Sequence, residues 1–257
     1  MGINRKNIYR TSQLERKDKL LKHKIEEVWY QHPAYGHRRL AWELGVNHKR
    51  VLRVMHKFNL KPPRRKVNKH WSTRSTNKHA YTNLIKDLTI NQPHQVWVSD
   101  LSYIKFQGQF WYLAAIKDVA TRQIMAVKVG KQHDAALVLA TIKQALDLTT
   151  PEIFHTDQGT EFMAKECTGY LEARGIKISV SDKGCPWQNG YQESFFGRFK
   201  QEFGDFNRFR HVGELMEEIY WQVYYYNFKR RHTALKLPPA EFAARKFSDF
   251  CLQKRGT

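Results

Sequence analysis

Cysteine is scarce: three in 257 residues, Cys167, Cys185 and Cys251, far apart and without a CxxC pair. That spacing excludes a disulfide framework and a cysteine-ligated zinc site, and it fits a reducing cytoplasm. Long apolar runs are missing too. No stretch approaches the roughly 18 residues of a membrane span, and the opening MGINRKNIYRTSQLERKDKLLKHK holds no apolar segment able to act as a signal peptide. Acidic residues are few, above all early in the chain. Against 44 Lys and Arg stand 24 Asp and Glu, a net charge of +20; residues 1–90 carry 22 basic and 6 acidic side chains, residues 91–257 carry 22 and 18. A surface so biased gains free energy by displacing counterions from phosphates, so nucleic acid is the expected partner. No amphipathic anchor rich in large apolar residues accompanies the charge, which argues against a membrane.

What is present falls into two textures. LLKHKIEEVWYQH places Leu21, Ile25, Val28 and Trp29 at helical spacing, closed by Pro33. In HRRLAWELGVNHKRVLRVMHKF, Ala41 stands four before Gly45, and Val51 and Val54 follow six and nine after it. A small residue at a helix crossing, a turn glycine and apolar anchors on the second helix make a helix-turn-helix pattern. Asn47 is a suitable N-cap. His48, Lys49, Arg50 and Arg53 are then left on the open face, where a groove-reading helix needs them; an ordinary helical hairpin with solvated charges is the plainer reading. From Lys61, KPPRRKVNKHWSTRSTNKHAY loses periodicity and reads as a basic linker. The boundaries expected are a helical DNA-binding domain over 1–60, a linker over 61–90, a core over 91–245 and a tail over 246–257.

Beyond the linker, HQVWVSDLSYIKF, QFWYLAAIKDVA and RQIMAVKVG are β-rich runs. HDAALVLATIKQALDL reads as a helix, PEIFHTD as a strand, GTEFMAKECTGYLEAR as a helix and IKISVS as a strand. Two helices follow, CPWQNGYQESFFGRFKQEF and GELMEEIYWQVYYYNF. Three strands, helix, strand, helix, strand and helices predict an α/β sheet with helical layers.

Acids fall where these strands end. Asp100 lies within the first run, Asp157 closes the fourth strand, and Glu193 lies on the helix after the fifth. An aspartate before a turn is ordinarily a cap, and a glutamate on a helix ordinarily faces water. If the first and fourth strands are neighbours, however, Asp100 and Asp157 meet, and a helix across them can bring the third carboxylate. Three such groups together raise one another's pKa unless a cation sits among them. Hard oxygen donors without His or Cys favour Mg²⁺ or Mn²⁺, and two such ions serve phosphodiester chemistry. Asn189, Glu193 and Lys200, spaced by four and seven, share one helical face, with Gln192 beside them.

The segments WVSDLSYI, YLAAIKDVATRQIMAV, FHTDQGTEF, NGYQESFFGRFKQE and YNFKRRHTALKLPPAEF resemble the catalytic core of retroviral integrases and DDE transposases. Within that superfamily the chain is most similar to the OrfB-type, second-frame subunits of insertion sequences. The 35 residues between Asp157 and Glu193 match that branch, and HPAYGHRRLAWELGVNHKRVLRVMHKFNLK resembles its helix-turn-helix. The resemblance implies an RNase H-like mixed sheet flanked by helices, preceded by a small all-α domain. It implies Asp100, Asp157 and Glu193 as a catalytic, metal-binding trio for two Mg²⁺ or Mn²⁺ ions. The activity implied is cleavage at transposon ends and attack of the freed 3′-hydroxyl on a second phosphodiester.

It further implies DNA contacts from Lys200, His155, Gln158 and Asn189, the terminal inverted repeats and target DNA as partners, and a homo-oligomer on DNA. An upstream-frame OrfA protein is a further partner, and the place of action is the bacterial cytoplasm, at the nucleoid. Asp118, a recurrent position, reads as structural. No cysteine precedes Cys167, so the His-His-Cys-Cys module of retroviral integrases is missing. The alternatives weighed are a ribonuclease H or junction resolvase of the same fold, and a non-catalytic DNA-binding accessory subunit.

Overall fold

The computed structural model describes residues 13–63, 81–182 and 190–248, the side chains of 190–193 excepted. The chain divides into two compact units, 1–64 and 65–257. The first holds three helices, α1 (Gln13–Gln31), α2 (His37–Leu44) and α3 (His48–Lys57). Their apolar stripes meet in one core of Leu21, Ile25, Tyr35, Leu40, Ala41, Val51, Val54 and Met55. The turn between α2 and α3 is set by two residues. Gly45 takes φ 64°, a left-handed conformation that costs glycine little, and its N–H closes onto the Ala41 carbonyl. Asn47 then caps α3, its side-chain oxygen accepting the Lys49 N–H at 2.8 Å. A buried carboxylate locks the unit: Asp18 on α1 receives both guanidinium nitrogens of Arg53 at 2.8 and 2.5 Å and the Lys57 amine at 3.1 Å.

The second unit is built on a five-stranded sheet in the order β3-β2-β1-β4-β5. β1 (Val96–Phe106), β2 (Gln109–Asp118) and β3 (Ile124–Gly130) form an antiparallel meander. Gln107 and Gly108, at φ 47° and 78°, make the two-residue turn that matches the strand twist. β4 (Ile153–Thr156) pairs parallel to β1, and β5 (Lys177–Val180) parallel to β4. The crossovers run through α4 (Ala135–Leu146) and α5 (Lys165–Glu172). Then come α6 (Gly190–Phe203), a 3₁₀ turn at Phe206–Arg208, α7 (Val212–Phe228) and α8 (Pro239–Lys246).

Alternation along the strands assigns each sheet face to a helix layer. Trp97 and Phe154 point to α4 and α5, packing on Val138, Ile142, Cys167 and Leu171. Ile104, Phe106, Trp111, Leu113 and Ala115 point the other way, under Phe195, Phe196, Phe199 and Phe203 of α6 and Leu215 and Ile219 of α7. Each buried phenylalanine of α6 contributes about 1.5–3 kcal/mol by leaving water, so α6 is held to the sheet by its own apolar row.

Two expectations are corrected here. The helix expected from Gly159 begins only at Lys165, because residues 157–164 are spent on a turn after β4. Residues 81–90, read as linker, are partly packed on the sheet: the Thr82 carbonyl accepts the Val180 N–H at 3.1 Å, and the Leu84 N–H donates to Ser179 Oγ at 2.9 Å. A helix at Pro239–Lys246 was not foreseen. No helix among the described residues is long and apolar enough to cross a membrane.

Candidate active site

The β1–β4 register makes the key juxtaposition. Val98 pairs with His155; two further steps along each parallel chain lead to Asp100 and to Asp157, the residue after β4 ends. Neighbouring strands lie about 4.8 Å apart. By alternation both aspartates share the face of Val98, Ile104 and Phe106, the face that α6 covers. Opposite Asp100 on β2 stands Ala115, a small residue that leaves room there. Asp100 Oδ1 accepts the Leu101 N–H at 2.8 Å.

Asp157 is partly buried, and loss of solvent pushes its pKa above the usual 3.8. The Gly159 N–H, 3.0 Å from Oδ1, works against that rise, the Glu161 carboxylate adds to it, and His133 opposes it. A carboxylate left to burial and a like-charged neighbour is chemically suited to take a cation. Asp100 and Asp157 thus fit a hard divalent ion through oxygen donors alone. Among the described side chains, which do not include that of Glu193, no group of three His, Cys, Asp or Glu gathers to hold a metal.

Glu193 lies in the first turn of α6, and Asn189 lies outside the described residues. Lys200 stands two turns along from Glu193 on the same helical row. Its amine lies 4.6 Å from the centre of the Tyr103 ring. Burial pulls its pKa down and the charge of Asp100 pulls it back up, so Lys200 and Asp100 are electrostatic neighbours. At the far end of α6, Glu202 receives Arg230 Nε and Nη2 at 2.6 and 2.7 Å. That buried pair ties α6 to the residues that follow α7.

One sequence-based assignment of DNA contact does not survive the geometry. His155 is fully buried, with Nδ1 2.9 Å from Ser179 Oγ and Nε2 3.0 Å from Ser181 Oγ. Burial holds its pKa down at about 4, so it is a neutral core side chain that no DNA atom reaches. Gln158 donates through Nε2 to the Ser181 carbonyl at 3.1 Å, bracing the loop of Asp157 against the end of β5. Asp118 is structural as read: its carboxylate accepts the His94 and Thr121 N–H groups, both at 2.6 Å, and the Thr121 hydroxyl at 2.8 Å.

In the helical unit His48, Lys49 and Arg50 are exposed on α3. Arg53 is exposed too, but it is engaged by Asp18, and its guanidinium holds α3 to α1.

Sequence reasoning missed Lys117, which faces α6 from β2 opposite Val98. Its amine sits 5.9 Å from the Phe195 ring centre, and burial, aided by Arg122, Arg230 and Arg198, brings its pKa down to about 7. A lone lysine inside the apolar run AAIKDVA was the available signal. Glu161 and His133 were missed as well.

Comparison with known proteins adds the following. Residues 90–186 and 174–239 each match a model of the integrase core domain, and residues 15–67 match an HTH-like domain. The transposase for insertion sequence element IS904 of Lactococcus lactis subsp. lactis (strain IL1403) is 32% identical over 87% of this chain and 92% of its own length. An insertion element IS600 protein of 31 kDa from Shigella sonnei is 30% identical over 94% and 95%. The putative transposase InsK for insertion sequence element IS150 of Escherichia coli (strain K12) is 28% identical over 91% and 87%. Among solved structures, a chain of the simian T-cell lymphotropic virus intasome in complex with PP2A regulatory subunit B56 gamma aligns with a TM-score of 0.51. It covers 85% of this chain and 73% of that one at 14% identity, a likeness of fold.

Proposed function

The chain belongs to the insertion-sequence transposases that carry an integrase core, and from that premise we propose that Asp100, Asp157 and Glu193 are its catalytic carboxylates. The fold is RNase H-like and the protein is a member of a polynucleotidyl transferase family. The observation that carries the proposal is the strand register that brings Asp100 and Asp157 to neighbouring positions under α6.

Asp100, Asp157 and Glu193 would hold two Mg²⁺ or Mn²⁺ ions. When bound, these ions supply Lewis acidity to the attacking and leaving oxygens of a phosphodiester. The chain's own groups do the rest. Gly159 N–H fixes the direction of Asp157, and the α6 phenylalanines hold Glu193's helix against the sheet. Lys200, a cation beside Asp100, is placed to hold a phosphate of the element's end. The reaction assigned is hydrolysis at the ends of the element, which frees a 3′-hydroxyl, followed by attack of that hydroxyl on a second phosphodiester. His48, Lys49 and Arg50 on α3 would lie on duplex DNA. Joining two ends to one target needs two such sites, so the working form is a homo-oligomer on DNA.

The test is Mg²⁺-dependent nicking and joining of a labelled terminal-repeat duplex by wild type, Asp157→Asn and Glu193→Gln. Loss of both steps in both variants is expected. Survival of joining in either one removes that residue from the trio.

A further inference from the structure

We propose that Glu161 is a positioning residue for Asp157, acting through Gly159 and clamped by His133. The inference rests on the catalytic reading of Asp157 given above. Glu161 is 9% exposed, in the turn between β4 and α5. A surface glutamate four residues past an active aspartate would need no explanation; a buried one does, because a desolvated carboxylate must be held by something.

Both of its oxygens are held. Oε1 lies 3.3 Å from His133 Nε2, and Oε2 accepts the Thr160 hydroxyl at 3.2 Å. His133 comes from the loop between β3 and α4, and its ring packs edge-on against Tyr112 of β2, centroids 5.2 Å apart. The clamp therefore reaches Glu161 from the β3–α4 loop, which is itself packed on β2.

The link to Asp157 is Gly159. A Cβ placed on Gly159 would lie 2.5 Å from Glu161 Oε1 and 3.1 Å from Asp157 Oδ1. No real Cβ tolerates the first distance, so an added methyl would push the Glu161 carboxylate aside. The glycine backbone is wedged between the two carboxylates. The same residue donates its N–H to Asp157 Oδ1 at 3.0 Å, and its carbonyl accepts the Phe162 and Met163 N–H groups at 3.1 and 3.2 Å. Glu161 thus props a backbone unit that aims Asp157. Groups that orient a metal ligand without touching the metal commonly set its affinity by about 10–100-fold.

The experiment measures Mn²⁺ affinity of the full-length protein, by the electron paramagnetic resonance signal of free Mn²⁺, beside thermal melting as a control on folding. Glu161→Ala is expected to weaken binding about tenfold with the melt retained. Glu161→Gln, which keeps the shape and a polar end for His133, is expected to stay within about threefold of wild type. Gly159→Ala is expected to weaken binding as Glu161→Ala does, and the double variant to bind better than the two losses combined, since removing Glu161 makes room for the added methyl. Wild-type affinity in Glu161→Ala, Gln as weak as Ala, or full additivity in the double variant each overturns the positioning role. Asp157→Asn is measured alongside: if it too binds as wild type does, the failure belongs to the assignment of the trio and not to the prop.

Discussion

Two aspartates of this chain, Asp18 buried and Asp157 partly so, are treated in opposite ways. Asp18, in the helical unit, is met by Arg53 and Lys57, and the hydrogen bond from Arg53 leads in holding its pKa down at about 2. Asp157, in the sheet unit, has one backbone N–H at 3.0 Å, and burial drives its pKa upward with Glu161 adding to the rise. The first is a closed account in which every charge has its counter-charge within the fold. The second is left more open, as groups that bind or react commonly are. Asp118 makes the contrast sharper: it is more deeply buried than Asp157, yet saturated by N–H and hydroxyl donors, so it braces the β2–β3 turn.

The comparison breaks first at Asp157. Asp157→Asn removes a carboxylate whose charged form the fold disfavours, so the metal-free protein should melt no lower than wild type, and slightly higher at neutral pH. Strand joining should fall by about a thousandfold or more, equivalent to about 4 kcal/mol of transition-state stabilisation. A melt lowered by several degrees would show Asp157 to be as structural as Asp18.

A second test uses His155, the neutral imidazole between Ser179 and Ser181. Its folded pKa of about 4 lies below the ordinary 6.5. Between those values the unfolded chain binds a proton that the native state refuses, so stability falls as pH drops from 6.5 to 4. The loss from this group is about 3 kcal/mol. Denaturant melts across that window should show it. His155→Asn lowers stability throughout but should flatten the slope, leaving a remainder from His232, whose pKa is also held down, to about 3. An unchanged slope in His155→Asn would refute the neutral-core assignment.

Asp18 carries a pH signature of the same sign in a more acidic window, with a smaller expected effect. Its folded pKa of about 2 lies below the usual 3.8, so its stabilisation is complete above pH 4 and lost as pH falls toward 2. Asp18→Asn should lower protection of amides in α1 and α3 against hydrogen exchange while leaving β1 and β4 unchanged. Equal loss of protection in the sheet would contradict a local clamp.

Much of this was legible in the residues, for physical reasons. The pattern of small residue, glycine and asparagine at 41, 45 and 47 specifies a turn by backbone chemistry alone, and the turn formed with Gly45 left-handed and Asn47 capping. The order of strand and helix runs carried the α/β class, since period-two and 3.6-residue patterns differ locally. Partner choice was not legible. Nothing in the string separates Arg50 from Arg53, or marks His155 as buried, because the deciding groups, Asp18, Ser179 and Ser181, lie 24 to 35 residues away. Glu161 was invisible for the same reason: its meaning depends on His133 and on the space at Gly159.

Arg50 and Arg53 give the finest form of the comparison, two cations one turn apart on α3. Arg53 closes the account of Asp18, whereas Arg50 is exposed at the start of the helix. Arg50→Ala should therefore leave the melt unchanged and weaken binding of terminal-repeat duplex about tenfold, with the slope of log affinity against log salt reduced by about one if the lost contact is to a phosphate. Arg53→Ala should act in the reverse order, lowering protection of α1 and α3 before it touches affinity. Titrations at several salt concentrations, read beside hydrogen exchange, separate the two. If both variants lose affinity equally with the helices intact, the ion pair with Asp18 does not occupy Arg53 in solution, and the open face of α3 is one residue wider than drawn.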